Sequence, residues 1–142
     1  MHHAPDLLLI EDDAAAARMV EEAVREVKPV PSMVHVASAE AALAYLERFP
    51  DHPPRLILLD LQLPSMSGME LLERLKAHSH HRLIPVVILS LSDLSGDILS
   101  SYDHQASGYL HKPATFPKLI LMLQALSDFW FQTVRLVNDR SM

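Results

Sequence analysis

The sequence predicts an α/β protein built on a doubly wound, five-stranded parallel sheet. Two observations lead to this fold class. Aliphatic runs too short to form helices recur along the chain, and an amphipathic stretch follows each of them. The runs are apolar at consecutive positions, which is typical of strands buried on both faces of a parallel sheet. Right-handed crossovers then place helices on both faces, so the functional residues are expected beyond the carboxyl ends of the strands.

The strands are expected where short aliphatic runs meet polar or turn residues. These runs occupy residues 6–11, 33–37, 55–60, 85–90 and 108–111. Each has the length of an ordinary strand and is too short for a helix of typical size.

Helices should fill the intervals between these strands. The first, at about residues 14–27, is rich in helix formers and should stop near Pro29. The second starts at Ser38, a favourable N-cap, and closes at the proline-rich "PDHPP". The third enters through Gly68 and carries a leucine stripe, and the fourth runs near residues 96–105.

The last helix is predicted to be unusually long. Residues 115–138 could form about 24 helical residues, or roughly 36 Å, which exceeds what one small sheet can cover. Its later apolar positions are Phe129, Trp130, Phe131, Val134 and Val137. They either fold back to complete the core or form a symmetric interface, and we favour the interface because such an exposed patch would promote aggregation. The expected division is a domain at residues 1–126 and a helical extension at 127–142 that forms a dimer interface.

Composition limits the classes of function. The 142 residues suit one domain, and no apolar run approaches the roughly 20 residues of a membrane span. The amino terminus lacks the pattern of a secretory signal, and the absence of cysteine fits a reducing compartment, so we expect a soluble, cytoplasmic protein. A net charge of −6 argues against a nucleic-acid partner, which would require a basic face.

Charged and polar residues cluster where the predicted strands end. The positions concerned are Glu11, Asp12, Asp13, Asp60, Ser90 and Lys112. If the first and third strands are neighbours, carboxylates from both converge, which is costly unless a cation is bound. Oxygen ligands without cysteine favour Mg²⁺ or Mn²⁺ over zinc.

Four motifs in order resemble the receiver domain of two-component response regulators over about residues 6–125. They are "LLLIEDD", "LILLDLQLPSMSGMELL", "PVVILSLSD" and "SGYLHKP". The resemblance implies a flavodoxin-like (βα)5 fold with strand order 2-1-3-4-5. It also implies a phosphoacceptor signalling protein that is not an enzyme beyond slow self-catalysed phosphotransfer and dephosphorylation.

The resemblance assigns roles to individual residues. Asp60 would accept a phosphoryl group from a histidine kinase, and Mg²⁺ would be held by Glu11, Asp12, Asp60 and the backbone carbonyl of Gln62. Lys112 would pair with the phosphate, while Ser90 and Tyr109 would switch conformation. The Lys112-Pro113 peptide is often cis in such domains, and an X-Pro bond makes the cis form accessible.

The extended carboxyl-terminal helix resembles a narrower group, the stand-alone regulators of phytochrome-type histidine kinases. That resemblance implies a phytochrome-type kinase as partner and a homodimer through the fourth and fifth helices, which we expect to involve Phe129, Trp130, Phe131 and Val134.

The same residues allow rival interpretations of the function. A Mg²⁺-dependent phosphohydrolase with an aspartyl-phosphate intermediate is the alternative enzyme, but haloacid-dehalogenase enzymes have a second aspartate where this chain has Gln62. A flavodoxin relative would need a phosphate loop where the chain has three acids, and a degenerate receiver would not need an intact acidic set. The cluster of His78, His80 and His81 could bind a metal, but polar residues at a helix end are the commoner explanation.

Overall fold

The computed structural model describes residues 4–136. Five parallel strands form one sheet in the order β2-β1-β3-β4-β5, which confirms the predicted topology. The strands are β1 (Leu7–Ile10), β2 (Met33–Val36), β3 (Leu56–Leu59), β4 (Val86–Ser90) and β5 (Gly108–His111). Ile10 of β1 is in register with Leu59 of β3, so the residues that follow these two strands lie side by side.

Side-chain caps start four of the five α-helices within residues 4–136. The helices are α1 (Ala14–Val24), α2 (Ala39–Arg48), α3 (Gly68–Ala77), α4 (Ser95–Asp103) and α5 (Phe116–Ser127). Asp13 caps α1 by accepting from the backbone N–H groups of Ala15 and Ala16, at 2.9 and 3.2 Å. Ser38 caps α2 as predicted, accepting from Ala41 N–H at 3.0 Å. Within residues 4–136, none of the helices is both long and apolar enough to cross a membrane.

The first helix is shorter than predicted. It ends at Val24 instead of Val27 because the chain tightens into three-residue turns, in which Glu26 and Val27 donate to the carbonyls of Ala23 and Val24. Such turns satisfy carbonyl groups at a helix end that would otherwise lack partners.

Alternating strand residues build a core on each face of the sheet. One core packs against α2 and α3 and includes Leu8, Ile10, Ile57, Leu59, Val86 and Ile88. The other packs against α1 and α5 and includes Leu7, Leu9, Leu56, Leu58, Val87 and Leu89. The prediction of burial on both faces is confirmed for β1, β3 and β4 but is wrong for β2 and β5, which are only half-buried because they are the edge strands.

The carboxyl-terminal helix is extended, but it stops earlier than predicted. One wide π-helical turn, Asp128–Thr133, continues α5, and the backbone becomes extended at Val134. The Thr133 hydroxyl donates to the Asp128 carbonyl at 2.9 Å, which satisfies an acceptor at the helix end. Val137 and Asn138 of the predicted helix lie outside the described residues.

The aromatic residues of this turn divide between the core and the surface. Trp130 and Phe131 pack against the core of α1 and α5, whereas Phe129 is 53% exposed. The Arg55 guanidinium lies 5.0 Å from the centre of the Phe131 ring and donates to the Phe131 carbonyl at 3.3 Å. The segment therefore folds back in part, as the core interpretation predicts, and leaves one large aromatic side chain on the surface.

The Lys112-Pro113 peptide is trans, so the expectation of a cis bond is wrong; the cis peptide bond among residues 4–136 is Lys28-Pro29. The trans form of an X-Pro bond is the intrinsically favoured one. Lys112 N–H also donates to the Ser90 carbonyl at 2.8 Å, which extends the pairing of β5 with β4 up to the proline.

Candidate functional site

A cavity of about 260 Å³ opens at the carboxyl edge of the sheet. Glu11 and Asp60 are the first residues after β1 and β3, and Asp60 N–H donates to the Ile10 carbonyl at 3.1 Å. Pairing within the sheet thus fixes the backbone that carries the acidic side chains. The cavity is lined by Glu11, Asp12, Asp13, Asp60, Gln62, Leu91 and Lys112.

The three predicted carboxylates meet in this cavity. Glu11, Asp12 and Asp60 each offer an oxygen, and these oxygens all lie within 4.8 Å of one another. Glu11 and Asp60 are buried, with 2% and 5% of their surface exposed, while Asp12 is exposed. A set of carboxylate oxygens fits a hard divalent cation such as Mg²⁺ or Mn²⁺, and the exposed side leaves room for water or phosphoryl oxygens.

Lys112 supplies a positive charge to the same cluster. Its Nζ lies 2.7 Å from Glu11 Oε1 and 3.4 Å from Asp60 Oδ2. Burial by itself lowers the pKa of Lys112, but the hydrogen bond to Glu11 and the charges of Asp60 and Glu11 together raise that pKa above its ordinary value. Burial also raises the pKa of Glu11, and the negative charge of Asp60 adds to this increase, while Lys112 opposes it. One ammonium group therefore balances only part of the negative charge of three carboxylates.

Backbone N–H groups orient the two buried carboxylates. Asp60 Oδ1 accepts from Gln62 N–H at 3.0 Å, which leaves Oδ2 directed at Lys112. Glu11 Oε2 accepts from Asp13 N–H at 3.2 Å, which leaves Oε1 for the same ammonium group. Gln62, expected as a ligand through its carbonyl, contributes its N–H to Asp60 and lines the cavity.

Gly68 allows the loop after β3 to pack closely against the start of α3. A Cβ atom at this position would lie 2.5 Å from the Asp60 carbonyl oxygen and 2.6 Å from Leu61 Cα. These neighbours are backbone atoms, so a side chain here would displace the peptide that carries Asp60. From the sequence, Gly68 is recognisable only as a helix start, because a tertiary backbone contact leaves no signal in the local sequence.

Ser90 and Tyr109 are joined through one intervening residue. Ser90 is fully buried, and its hydroxyl accepts from Ser92 N–H at 3.1 Å. The Tyr109 hydroxyl donates to the Ser92 carbonyl at 2.7 Å. The motifs predict roles for Ser90 and Tyr109 but give no signal for Ser92, whose backbone groups link them.

The histidine cluster lies at the opposite edge of the sheet, between α3 and β4. His78 Nδ1 accepts from the backbone N–H groups of His80 and His81 at 3.1 and 3.0 Å, and the rings of His78 and His81 stack at 3.7 Å. His78 Nδ1 is therefore not available to a metal, and the set of three potential ligand atoms found close together within residues 4–136 belongs to Glu11, Asp12 and Asp60, which favours a polar turn here.

Comparison with protein families identifies the family to which this fold belongs. The model of the response regulator receiver domain matches residues 7–124. The chain belongs to the response regulator receiver domain family. The family consists of signalling regulators, which favours this interpretation over the phosphohydrolase alternative.

Known relatives connect this receiver domain with phytochrome regulators. Response regulator Rcp1 of Synechocystis sp. is 34% identical over 134 residues, which cover 92% of this chain and 91% of Rcp1. The structure of phosphorylated RcpA, a cyanobacterial phytochrome response regulator, matches with a TM-score of 0.86 and 33% identity, covering 95% of this chain and 99% of RcpA. The Mn²⁺-bound structure of Rcp1 matches with a TM-score of 0.80 and 33% identity, covering 93% of this chain and 99% of that one.

Proposed function

We propose that this receiver domain accepts a phosphoryl group on Asp60 from a histidine kinase in a Mg²⁺-dependent reaction. The observation that carries the proposal is the convergence of three carboxylates within 4.8 Å, with the Lys112 ammonium 3.4 Å from Asp60. An acidic cluster with incomplete charge balance recruits a divalent cation, and the cluster opens to solvent where a phosphoryl donor would approach.

The transfer forms one bond and breaks another. An Asp60 oxygen attacks phosphorus, the phosphorus–nitrogen bond of the donor phosphohistidine breaks, and the departing imidazole takes up a proton. Glu11, Asp12 and Asp60 would hold Mg²⁺, together with the Gln62 carbonyl expected from the family, and the ion would neutralise the phosphoryl oxygens. Gln62 N–H orients the Asp60 carboxylate, and Lys112 is within reach of the added phosphoryl oxygens.

We propose that phosphorylation switches the domain through Ser90 and Tyr109. The new phosphoryl group adds negative charge, which draws hydroxyl and ammonium donors towards it. If the Ser90 hydroxyl turns to the phosphoryl group, it no longer accepts the hydrogen bond from Ser92 N–H. The Ser92 backbone can then shift, and its carbonyl no longer holds the Tyr109 hydroxyl in the same place. The two alternative hydrogen-bond arrangements form a two-state packing switch.

The relatives favour a phytochrome-type histidine kinase as the donor. RcpA is a phytochrome response regulator, and its matched structure is phosphorylated. Rcp1 binds Mn²⁺ in its matched structure, which supports a divalent cation for this chain as well. We therefore propose that this chain acts in phytochrome-type phosphorelay signalling.

Replacing the acceptor tests the proposal directly. With Mg²⁺ and acetyl phosphate, intact-protein mass spectrometry should detect one added phosphoryl group on the wild-type chain and none on Asp60→Asn. Asp103→Asn is the matched control, because Asp103 is exposed on α4, and this variant should be labelled like the wild type. Labelling of Asp60→Asn would move the acceptor to another residue and refute the proposal.

We also propose that the chain forms a homodimer through the surface of the last helix. Phe129 is 53% exposed, and its ring meets that of the half-buried Trp130 edge to face at 5.3 Å, so Phe129 is the main exposed apolar group of this surface. Phe131 and Val134 flank this surface, although Arg55 already covers the Phe131 ring. Burying exposed aromatic area is a strong driving force for association.

Light scattering tests the dimer. Phe129→Ser should lower the average mass of the wild-type chain towards that of a monomer at the same concentration. Met19→Ser removes an exposed apolar side chain from α1, away from this surface, and should leave the mass unchanged. A wild-type monomer at high concentration, with and without acetyl phosphate and Mg²⁺, would contradict the dimer.

A further inference from the structure

His35 makes a hydrogen bond that reaches the acidic site from the edge strand β2. Its Nε2 lies 2.7 Å from the backbone carbonyl oxygen of Glu11. A carbonyl oxygen can only accept a hydrogen bond, so Nε2 carries the proton. Glu11 lies one residue beyond the last pair of the β1 and β2 ladder, Ile10 and Val36. The imidazole therefore holds the first carbonyl group beyond the end of the paired strands.

This carbonyl belongs to the peptide group that joins Glu11 to Asp12. Fixing the oxygen fixes the plane of that peptide, and with it the direction in which the chain continues through Asp12. On the other side, Asp13 is anchored because its carboxylate caps α1 and its N–H donates to Glu11 Oε2. Asp12, which is exposed, thus stands between two neighbours whose backbone is held in place.

We infer that His35 is a positioning residue of the metal site. It holds the peptide between Glu11 and Asp12 in the orientation that directs the Asp12 carboxylate towards the divalent cation. This inference rests on the metal-dependent function proposed above. Groups that hold metal ligands in position without touching the metal affect its affinity because the site is then ordered before the metal arrives.

Titration of the full chain with Mn²⁺, followed by electron paramagnetic resonance, measures this effect. His35→Leu removes the donor and should weaken Mn²⁺ binding by about tenfold, the lower end of the range for residues that support metal ligands. His35→Gln keeps an N–H donor at a reach close to that of Nε2 and should restore most of the affinity. His80→Leu removes an exposed imidazole at the opposite edge and should leave the affinity unchanged.

Phosphorylation kinetics give a second readout. For His35→Leu, the Mg²⁺ concentration that gives half the maximal rate with acetyl phosphate should rise about tenfold, while the rate at saturating Mg²⁺ stays near that of the wild type. A general structural defect would instead lower the rate at saturation.

The outcomes separate this inference from the proposed function. A wild-type chain that binds no Mn²⁺ would overturn the proposed function, and this inference with it. Wild-type binding together with unchanged affinity in His35→Leu would overturn this inference alone, and so would equal losses in His35→Leu and His35→Gln. If His35→Leu does not fold, long-range ¹H–¹⁵N spectra of the wild type decide, because a ring protonated only at Nδ1, with no proton on Nε2, would contradict the hydrogen bond.

Discussion

Replacing Lys112 with methionine should destabilise the metal-free protein strongly. The substitution keeps most of the side-chain volume but removes the ammonium group that lies 2.7 Å from Glu11 and 3.4 Å from Asp60. Both carboxylates are almost completely buried, with side-chain exposures of 3% and 7%. Two like charges would then face each other without a cation, which is the costly case for a buried ion pair.

The expected loss is about 3 kcal/mol in the free energy of unfolding, the lower end of the range for breaking buried pairs. We take the lower end because the Lys112 side chain is itself 17% exposed and water screens part of the interaction. For 142 residues, an unfolding entropy of about 2.1 cal/mol/K per residue converts this loss into a decrease of about 10 °C in Tm.

Magnesium distinguishes this explanation from a simple packing defect. Urea unfolding of the wild type and of Lys112→Met should be compared in EDTA and in saturating Mg²⁺. Because the cation replaces the missing positive charge and binds only the folded site, Mg²⁺ should reduce the difference between the two proteins by about half or more. Lys118→Met, which changes an exposed lysine on α5, should differ little from the wild type in either condition. A Lys112→Met protein as stable as the wild type in EDTA, or a loss that Mg²⁺ leaves unchanged, would refute the electrostatic reasoning.

Two further substitutions test the close backbone contact at Gly68 and the titration of His81. Gly68→Ala should lose about 1–3 kcal/mol of stability and slow phosphorylation, because its Cβ would press on the Asp60 backbone. Gly96→Ala in α4 is the control, because its Cβ would meet open space, and it should lose no stability. Equal effects of the two substitutions in urea unfolding would contradict the close contact at Gly68. Burial, followed by the charges of His78 and His80, lowers the pKa of His81, so the unfolded chain takes up a proton more readily and stability falls as the pH decreases through the range below 6.5. His81→Gln should show a smaller decrease in urea stability between neutral and mildly acidic pH, and an unchanged pH profile would exclude this contribution.

Much of the fold could be predicted because it depends on local pattern. Continuous aliphatic runs located all five strands, and the predicted cap residue Ser38 located the start of α2. The early end of the last helix was not predicted, because it depends on a tertiary contact. Arg55 of the β3 region packs on Phe131 and draws the last turn back to the domain, which no periodicity in residues 115–138 indicates.

In the candidate site, likewise, the sequence predicts where the residues lie but not how their side chains pair. The ends of parallel strands fix where Glu11 and Asp60 begin, so their convergence follows from strand order alone. The partner of Lys112 cannot be predicted from strand order, because its long side chain can reach either carboxylate. The position of its ammonium group depends on the balance of charge and burial. Lys112 Nζ lies closer to Glu11, at 2.7 Å, than to Asp60, at 3.4 Å, although a backbone N–H already satisfies one oxygen of each carboxylate.

Because Lys112 lies closer to Glu11 than to Asp60, phosphorylation of Asp60 is expected to shift this pairing. A phosphoryl group on Asp60 would carry more negative charge than the Glu11 carboxylate, so the Lys112 ammonium would gain by moving from Glu11 towards Asp60. Glu11, nearly fully buried, would then need another positive charge, and a divalent cation held with Asp12 and Asp60 supplies it. The same incomplete neutralisation that attracts the cation would therefore also make its retention depend on the chemical state of Asp60.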